Sequence, residues 1–153
     1  MNERPKINNI VIIGGNIYKQ DFPIINIINA VKKYKTRIFI ITDKVRSNYP
    51  NKKYKSFRIF LKDKKLEHKI FDSYSKMSIF LNKTFNSSDT LILSCNCKWL
   101  IKKDIINKYK YLFNYHNADL PNQRGAACHS WGIMMKKNFS SLNIHLVKKE
   151  FDI

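Results

Sequence analysis

Short runs of branched apolar residues recur along the chain, and each ends in a polar or glycine-containing turn. Residues 10–13 end at Gly14 and Gly15, residues 37–42 form a second run, and residues 89–94 form a third. Continuous apolar runs of this length are typical of strands that are buried on both faces of a parallel sheet. Other segments of the chain must therefore pack against both faces of the sheet.

The segments between these runs have the spacing of helices. Apolar residues recur every three or four positions across 22–34, with Asp21 as an N-cap and Pro23 in the first turn, which predicts an amphipathic helix. A strand, a helix and a strand in this order form a right-handed βαβ unit. Further helices are predicted at 101–109 and 126–135, and further strands at 111–116 and 143–147. The sequence predicts an α/β, Rossmann-like fold with a mostly parallel sheet and helices on both faces.

The middle of the chain is harder to interpret. Residues 56–61 are short and apolar, which favours a short strand. Apolar residues across 66–85 recur at largely helical spacing, which predicts a helix over that segment.

Length and composition restrict the class of protein. With 153 residues, 44% of them hydrophobic and 26% charged, we expect one soluble domain with a single core. No apolar run reaches the roughly 18–20 residues that a membrane span needs, so no membrane association is expected. The N-terminal MNERPKINN lacks the apolar stretch of a secretory signal, which predicts a cytoplasmic protein.

The net charge of +18 has two interpretations. It comes from 29 Lys and Arg against 11 Asp and Glu, and the lysines are spread along the chain among many Ile and Asn. All three residue types have A/T-rich codons, so the charge is consistent with genomic composition. The alternative is attraction to an anionic partner such as tRNA, a nucleotide-sugar or a phosphorylated substrate.

The cysteines do not predict a metal centre. Cys95, Cys97 and Cys128 are an odd number of cysteines in a chain without a signal peptide, so we expect reduced thiols. Cys95 and Cys97 are too close in sequence for the usual zinc knuckle, and no second Cys/His pair completes one.

Ligands of open α/β sheets bind beyond the carboxyl ends of the strands, which directs attention to residues 14–16, 94–98 and 114–125. Gly14, Gly15 and Asn16 lack a dinucleotide or P-loop signature. They form either a tight turn after the first strand or a place where backbone approaches an anionic substrate group.

Asn114 and His116 point to the same face of their predicted strand, because side chains alternate with a period of two. An amide can donate a hydrogen bond to a developing oxyanion, and an imidazole can carry a proton near neutral pH. The pair is either catalytic or a set of satisfied polar residues at a strand exit.

The segment around this pair resembles a known signature. Asn114, His116, Leu120, Pro121, Arg124 and Gly125 match the Asn-x-His…Leu-Pro-x-x-Arg-Gly pattern of the folate-dependent formyltransferases. Downstream, His145 and Asp152 have the seven-residue spacing of the family's closing strand and catalytic Asp. Ala118 and Asp119 depart from the family, which usually has Ser and an apolar residue there. The resemblance spans nearly the whole chain, although its specific motifs lie after residue 90.

The resemblance implies an enzyme that transfers a formyl group from N10-formyltetrahydrofolate, its co-substrate, to a primary amine. It implies that Asn114, His116 and Asp152 are catalytic. Gly14, Gly15, Asn16 and Arg124 would bind the acceptor, and no metal is needed. Residues implied at the folate site are Leu93, Cys95, Trp99, Leu100 and His145.

Among acceptors, an amino group of a nucleotide-linked sugar is favoured. The sequence His129-Ser130-Trp131 resembles the sugar enzymes, and the tRNA enzymes carry an additional RNA-binding domain. The expected partner is thus a small anionic amine, with a homodimer as a further possibility.

Three alternatives remain open from the sequence. They are methionyl-tRNA or another amine as acceptor, an inactive relative that lacks the C-terminal part of the domain, and a basic nucleic-acid-binding module. We expect residues 1–153 to be a formyltransferase catalytic domain whose C-terminal part is missing.

Overall fold

A computed structural model describes residues 5–15, 23–50, 52–123, 125, 128–138 and 141–148. Within them, six strands form one sheet, in the order β3-β2-β1-β4-β5-β6. The strands are β1 (Asn9–Gly14), β2 (Arg37–Asp43), β3 (Glu67–Phe71), β4 (Thr90–Cys95), β5 (Tyr111–His116) and β6 (Asn143–Leu146). The helices are α1 (Pro23–Val31), α2 (Phe57–Asp63), α3 (Tyr74–Thr84), α4 (Lys103–Ile106) and α5 (Cys128–Met134), with 3₁₀ turns at Lys32–Tyr34 and Arg46–Asn48.

The first five strands are parallel, and β6 runs antiparallel to β5. The chain winds outward from β1 to β3 and then returns to add β4 on the other side of β1. The winding reverses between β1 and β4, and such a reversal opens a crevice at the carboxyl ends of the two strands.

Alternate residues of each strand supply two separate cores. On one face, Val11 and Ile92 belong to a cluster that is covered by α3 and α4. On the other, Ile12 and Ile40 belong to a cluster that is covered by α1 and α2. The predicted mostly parallel sheet with helices on both faces is confirmed.

Two predictions for the middle of the chain are wrong. The segment predicted as a strand at 56–61 forms α2, because the Ser56 hydroxyl caps the helix by accepting from the Ile59 N–H. The segment predicted as a helix across 66–85 is divided into β3 and α3, and Ser73 caps α3 by accepting from the Lys76 N–H. The proposed cap Asp21 lies outside the described residues.

In the described part of the chain, every helix is too short or too polar to cross a membrane.

Candidate active site

Asn114 and His116 lie at the carboxyl end of β5, and both side chains are half-buried. The register places Asn114 beside Ser94 of β4, which in turn lies beside Ile13 of β1. This is the sheet face that α3 and α4 cover. The predicted same-face placement of the amide and the imidazole follows from the strand, and half-burial leaves both within reach of a ligand.

The antiparallel strand β6 adds a second imidazole to this face. His145 is the direct register partner of Asn114, and Asn143 is that of His116. The Nδ2 atom of Asn114 lies 3.3 Å from Nε2 of His145, a hydrogen-bond distance. Directly paired residues of antiparallel strands point to the same side, so two amides and two imidazoles share one surface.

His116 contacts both the loop that follows it and the start of α5. Its Nε2 atom lies 3.4 Å from the backbone oxygen of Gln123 and 3.9 Å from Sγ of Cys128. The rings of His116 and His145 are 6.3 Å apart between centroids and perpendicular. Both imidazoles are therefore held in defined orientations.

The loop after β5 is held by its own polar groups. The Asp119 N–H donates to Oε1 of Gln123 at 3.2 Å, and the Gln123 N–H donates back to the Asp119 carbonyl at 2.7 Å. Asn143 donates its side-chain N–H to the Ala118 carbonyl, which ties the loop to β6. Asp119, which departs from the family pattern, has a structural use here as a turn residue.

Gly14 and Gly15 end β1 at the crevice, and both positions exclude a side chain. Gly14 has φ +152°, and a methyl group there would lie 1.7 Å from the backbone oxygen of Cys95. A methyl group at Gly15 would lie 2.6 Å from Cβ of Arg46. The two glycines therefore allow close packing of the ends of β1, β2 and β4.

The residues predicted for the folate site occupy different environments. Leu93 and Cys95 are buried and pair with Phe113 and Tyr115, so they point to the face opposite Asn114. The half-buried Trp99 packs against the core on the same face as Asn114, and Leu100 is 64% exposed. The predicted residues Asn16, Arg124 and Asp152 lie outside the described residues.

Two thiols beside the crevice are kept neutral by their surroundings. Burial raises the pKa of Cys95 to about 11 and that of Cys97 to about 11. Opposing but smaller effects on Cys97 come from a hydrogen bond donated by the Trp99 N–H and from the positive charge of Arg46. Both groups are thiols rather than thiolates at neutral pH, so neither is suited to nucleophilic catalysis.

Sequence reasoning missed a polar cluster next to Gly15. Asp43 ends β2 with 2% of its side chain exposed and forms an ion pair with Arg46, Nη1 to Oδ2 3.2 Å. Thr42 is fully buried beside them. The Asp-x-x-Arg spacing after an apolar strand is the only signal in the sequence that could have indicated this pair.

By sequence, no family model matches the chain, and neither does any curated protein. Solved structures do match. Phosphoribosylglycinamide formyltransferase from Bacillus halodurans superposes with a TM-score of 0.71 at 17% identity, over 95% of this chain and 74% of that one. The same enzyme from Coxiella burnetii gives 0.67 at 20% identity, over 97% and 68%. The chain has the formyltransferase fold.

A third solved structure with this fold is a formyltransferase of another type. It is a 4-N formyltransferase from Francisella tularensis, with a TM-score of 0.63 and 17% identity, over 95% of this chain and 52% of that one. The formyltransferase fold thus extends over nearly all of the present chain, and Asn114 and His116 stand at the carboxyl edge of its sheet.

Proposed function

We propose that the protein transfers a formyl group from N10-formyltetrahydrofolate to a primary amine. The observation that carries the proposal is the placement of Asn114, His116 and His145 on one half-buried surface at the carboxyl edge of a formyltransferase fold. N10-formyltetrahydrofolate supplies an activated formyl carbon, and attack by the amine develops negative charge on the formyl oxygen. When the tetrahedral intermediate collapses, the bond from carbon to N10 breaks, and tetrahydrofolate leaves with N10 protonated by the proton that the amine gives up.

Asn114 is suited to stabilise that negative charge. Its side-chain amide is fixed by its contact with Nε2 of His145, so its orientation is set before substrate binds. A donor that is already oriented costs no reorganisation during the reaction, and removal of one such donor typically costs about 10²–10³ in rate.

His116 supplies the second polar group. A protonated imidazole would donate to the same oxygen, and a neutral one would take a proton from the attacking amine. The backbone oxygen of Gln123 and the thiol of Cys128 hold the ring in place. Asp152 is the proposed carboxylate that raises the basicity of His116, holds it in place, or binds a water that relays a proton from the amine to N10.

The surroundings of Asn114 fit an aromatic co-substrate. Trp99 and the exposed Leu100 follow β4 and offer apolar surface at the same edge of the sheet. The polar groups nearby are an amide and two imidazoles, which can donate hydrogen bonds to a carbonyl oxygen. Holding donor and acceptor together at this edge would supply much of the acceleration.

For the acceptor, we propose an amino group on a nucleotide-linked sugar. Trp131 of α5 is 57% exposed, one helical turn from Cys128, which contacts His116. An exposed aromatic ring one helical turn from that contact offers a stacking surface for a base or a sugar.

The experiment is an assay of tetrahydrofolate release from N10-formyltetrahydrofolate with 4-amino and 3-amino sugar nucleotides, and with glycinamide ribonucleotide and methionyl-tRNA as competing acceptors. Turnover with an amino sugar that is lost in Asn114→Asp supports the proposal. Turnover only with another amine overturns the sugar assignment, and absence of turnover and of folate binding overturns formyl transfer.

A further inference from the structure

A second polar cluster lies at the carboxyl ends of β1 and β2, apart from Asn114 and His116. It consists of Thr42, Asp43 and Arg46, which pack against Gly15. A methyl group at Gly15 would lie 3.2 Å from both Cδ of Arg46 and Oγ1 of Thr42. The cluster therefore borders the crevice where the winding of the sheet reverses.

Asp43 has its acceptors occupied within this cluster. Its Oδ1 atom accepts from the backbone N–H groups of Val45 and Arg46 at 2.9 and 3.0 Å, and its Oδ2 atom accepts from Nη1 of Arg46 at 3.2 Å. The carboxylate thereby fixes the turn after β2 and anchors one end of the guanidinium.

Two buried polar atoms of the cluster have no hydrogen-bond partner among the described residues. They are Nε of Arg46 and Oγ1 of Thr42. Thr42 is 0% exposed, and the Arg46 side chain is 20% exposed. A buried donor that lacks a partner destabilises the fold, and such groups in proteins call for a ligand or another specific reason.

Arg37 shows what the unoccupied side of Arg46 is suited to bind. In Arg37, the Nε and Nη2 atoms hold the Glu67 carboxylate, with Nε 3.1 Å from both oxygens and Nη2 2.5 Å from Oε2. Arg46 is attached to Asp43 through Nη1 instead, so its Nε edge is left for another acceptor. The planar fork of a guanidinium matches carboxylates and phosphates in geometry.

We propose that Arg46 and Thr42 form a binding site for an oxyanion, a phosphate or a carboxylate, carried by the acceptor substrate. The Nε–H of Arg46 and the hydroxyl of Thr42 donate to it. That the anion belongs to the formyl acceptor rests on the proposed function, whereas oxyanion binding does not.

The binding test uses the full chain without folate. Inorganic phosphate and acetate are titrated separately by calorimetry at fixed sodium chloride. Arg46→Lys and Thr42→Val should each lower the affinity for the preferred anion by about tenfold, as loss of one charge-assisted hydrogen bond does. Thr42→Ser, which keeps the hydroxyl, should bind as the parent does.

Arg37→Lys is the matched control, because its fork is already occupied by Glu67. It should leave the anion affinity unchanged. This result would distinguish binding at Arg46 from attraction of the anion by the overall positive charge of the protein. Thr42→Val should also raise the melting temperature, since it removes a buried hydroxyl that has no hydrogen-bond partner in the described part of the chain. Equal anion affinity in the parent, Arg46→Lys and Thr42→Val overturns the inference.

The two proposals can fail separately. Formyl transfer with an unchanged KM for the acceptor in Arg46→Lys overturns the assignment of the anion to the acceptor and leaves the proposed function standing. Anion binding that depends on Arg46, without formyl transfer to any amine, overturns the proposed function and leaves the anion site standing. Preference for phosphate over acetate, or the reverse, identifies the chemistry of the oxyanion.

Discussion

Asn114 and His145 are direct partners across the antiparallel pair β5 and β6, with 3.3 Å between Nδ2 and Nε2. In this orientation the amide donates to the imidazole, so one side-chain N–H is used internally and the other remains for a substrate. The contact makes His145 a positioning residue for Asn114.

Replacing Asn114 by Asp should lower kcat for formyl transfer by about 10²–10³, because the variant keeps the shape of the side chain and loses its donor. The measurement is steady-state release of tetrahydrofolate, with circular dichroism to verify folding. Asn107→Asp, at an exposed position after α4, is the control and should retain parent activity. A parent-like rate in Asn114→Asp would remove Asn114 from the mechanism.

Replacing His145 by Ala should lower kcat less than Asn114→Asp does, because only the orientation of the amide is lost. Once Asn114 is replaced, the further loss of His145 should have little effect. A double-mutant cycle should show a coupling energy in the range of about 0.5–3 kcal/mol. Additive effects of the two substitutions would show that the imidazole acts independently of the amide.

Cys95 and Cys97 should react slowly with iodoacetamide in the folded protein. Burial raises both pKa values to about 11 from the ordinary 9.0, so near pH 8 only about 0.1% of each is thiolate, against about 10% for an exposed thiol. Mass spectrometry should show alkylation about 100-fold slower than in urea, rising about tenfold per pH unit. Alkylation at equal rates in native and unfolded protein would contradict the assignment.

Gly14→Ala and Gly125→Ala should have very different effects on stability. Both glycines have positive φ, +152° and +83°, but a methyl group at Gly14 meets the backbone oxygen of Cys95, whereas one at Gly125 meets no atom of the described residues within 4 Å. We expect about 1 kcal/mol of destabilisation for Gly125→Ala and loss of more than about 3 kcal/mol, or failure to fold, for Gly14→Ala. Urea unfolding measures both, and equal losses would refute the close approach.

The stabilising contribution of Asp104 should be lost in acid. Burial alone would raise its pKa, but hydrogen bonds from Ser78 and Tyr74 outweigh it and lower the pKa below the ordinary 3.8. A lowered pKa in the folded state stabilises the fold above pH 3.8, and this contribution is lost as the pH falls through the lowered value. Asp104→Asn should flatten the dependence of the unfolding free energy on pH below about 4.

Tyr74→Phe and Ser78→Ala each remove one donor to that carboxylate, so each should reduce the same acid dependence in part. If the unfolding free energy depends on pH with the same slope in the parent and in all three variants, the acid dependence comes from other carboxylates.

The strands that are apolar throughout could be predicted from the sequence, whereas two elements in the middle of the chain, α2 and β3, could not. Five of the six residues of β1 are buried, and they follow one another without a break. This pattern is typical of a central strand. α2 has only seven residues, too few for periodicity to separate helix from strand, and the Ser56 cap decides its conformation. β3 is an edge strand, and the apolar residues in and beside it continue the helical spacing of α3, so the sequence pattern does not separate the two elements.

At the site, the amide and imidazole of β5 follow from a period of two, but their partners depend on tertiary structure. Nothing in the sequence sets β6 antiparallel to β5 or places His145 opposite Asn114. The proximity of Arg46 to Gly15 likewise depends on how closely β1 and β2 end together.

The pairing of Asn114 with His145 is specified by strand register rather than by distance along the chain. A slip of β6 by one position would put Ile144 or Leu146 opposite the amide, since neighbouring strand residues point to opposite faces. Lengthening the connection between β5 and β6 would preserve the pair at small entropic cost, because closing a loop of twice the length costs only about 0.6 kcal/mol. Homologous chains can therefore differ widely in the number of residues between the two positions and still present the same pair of polar groups.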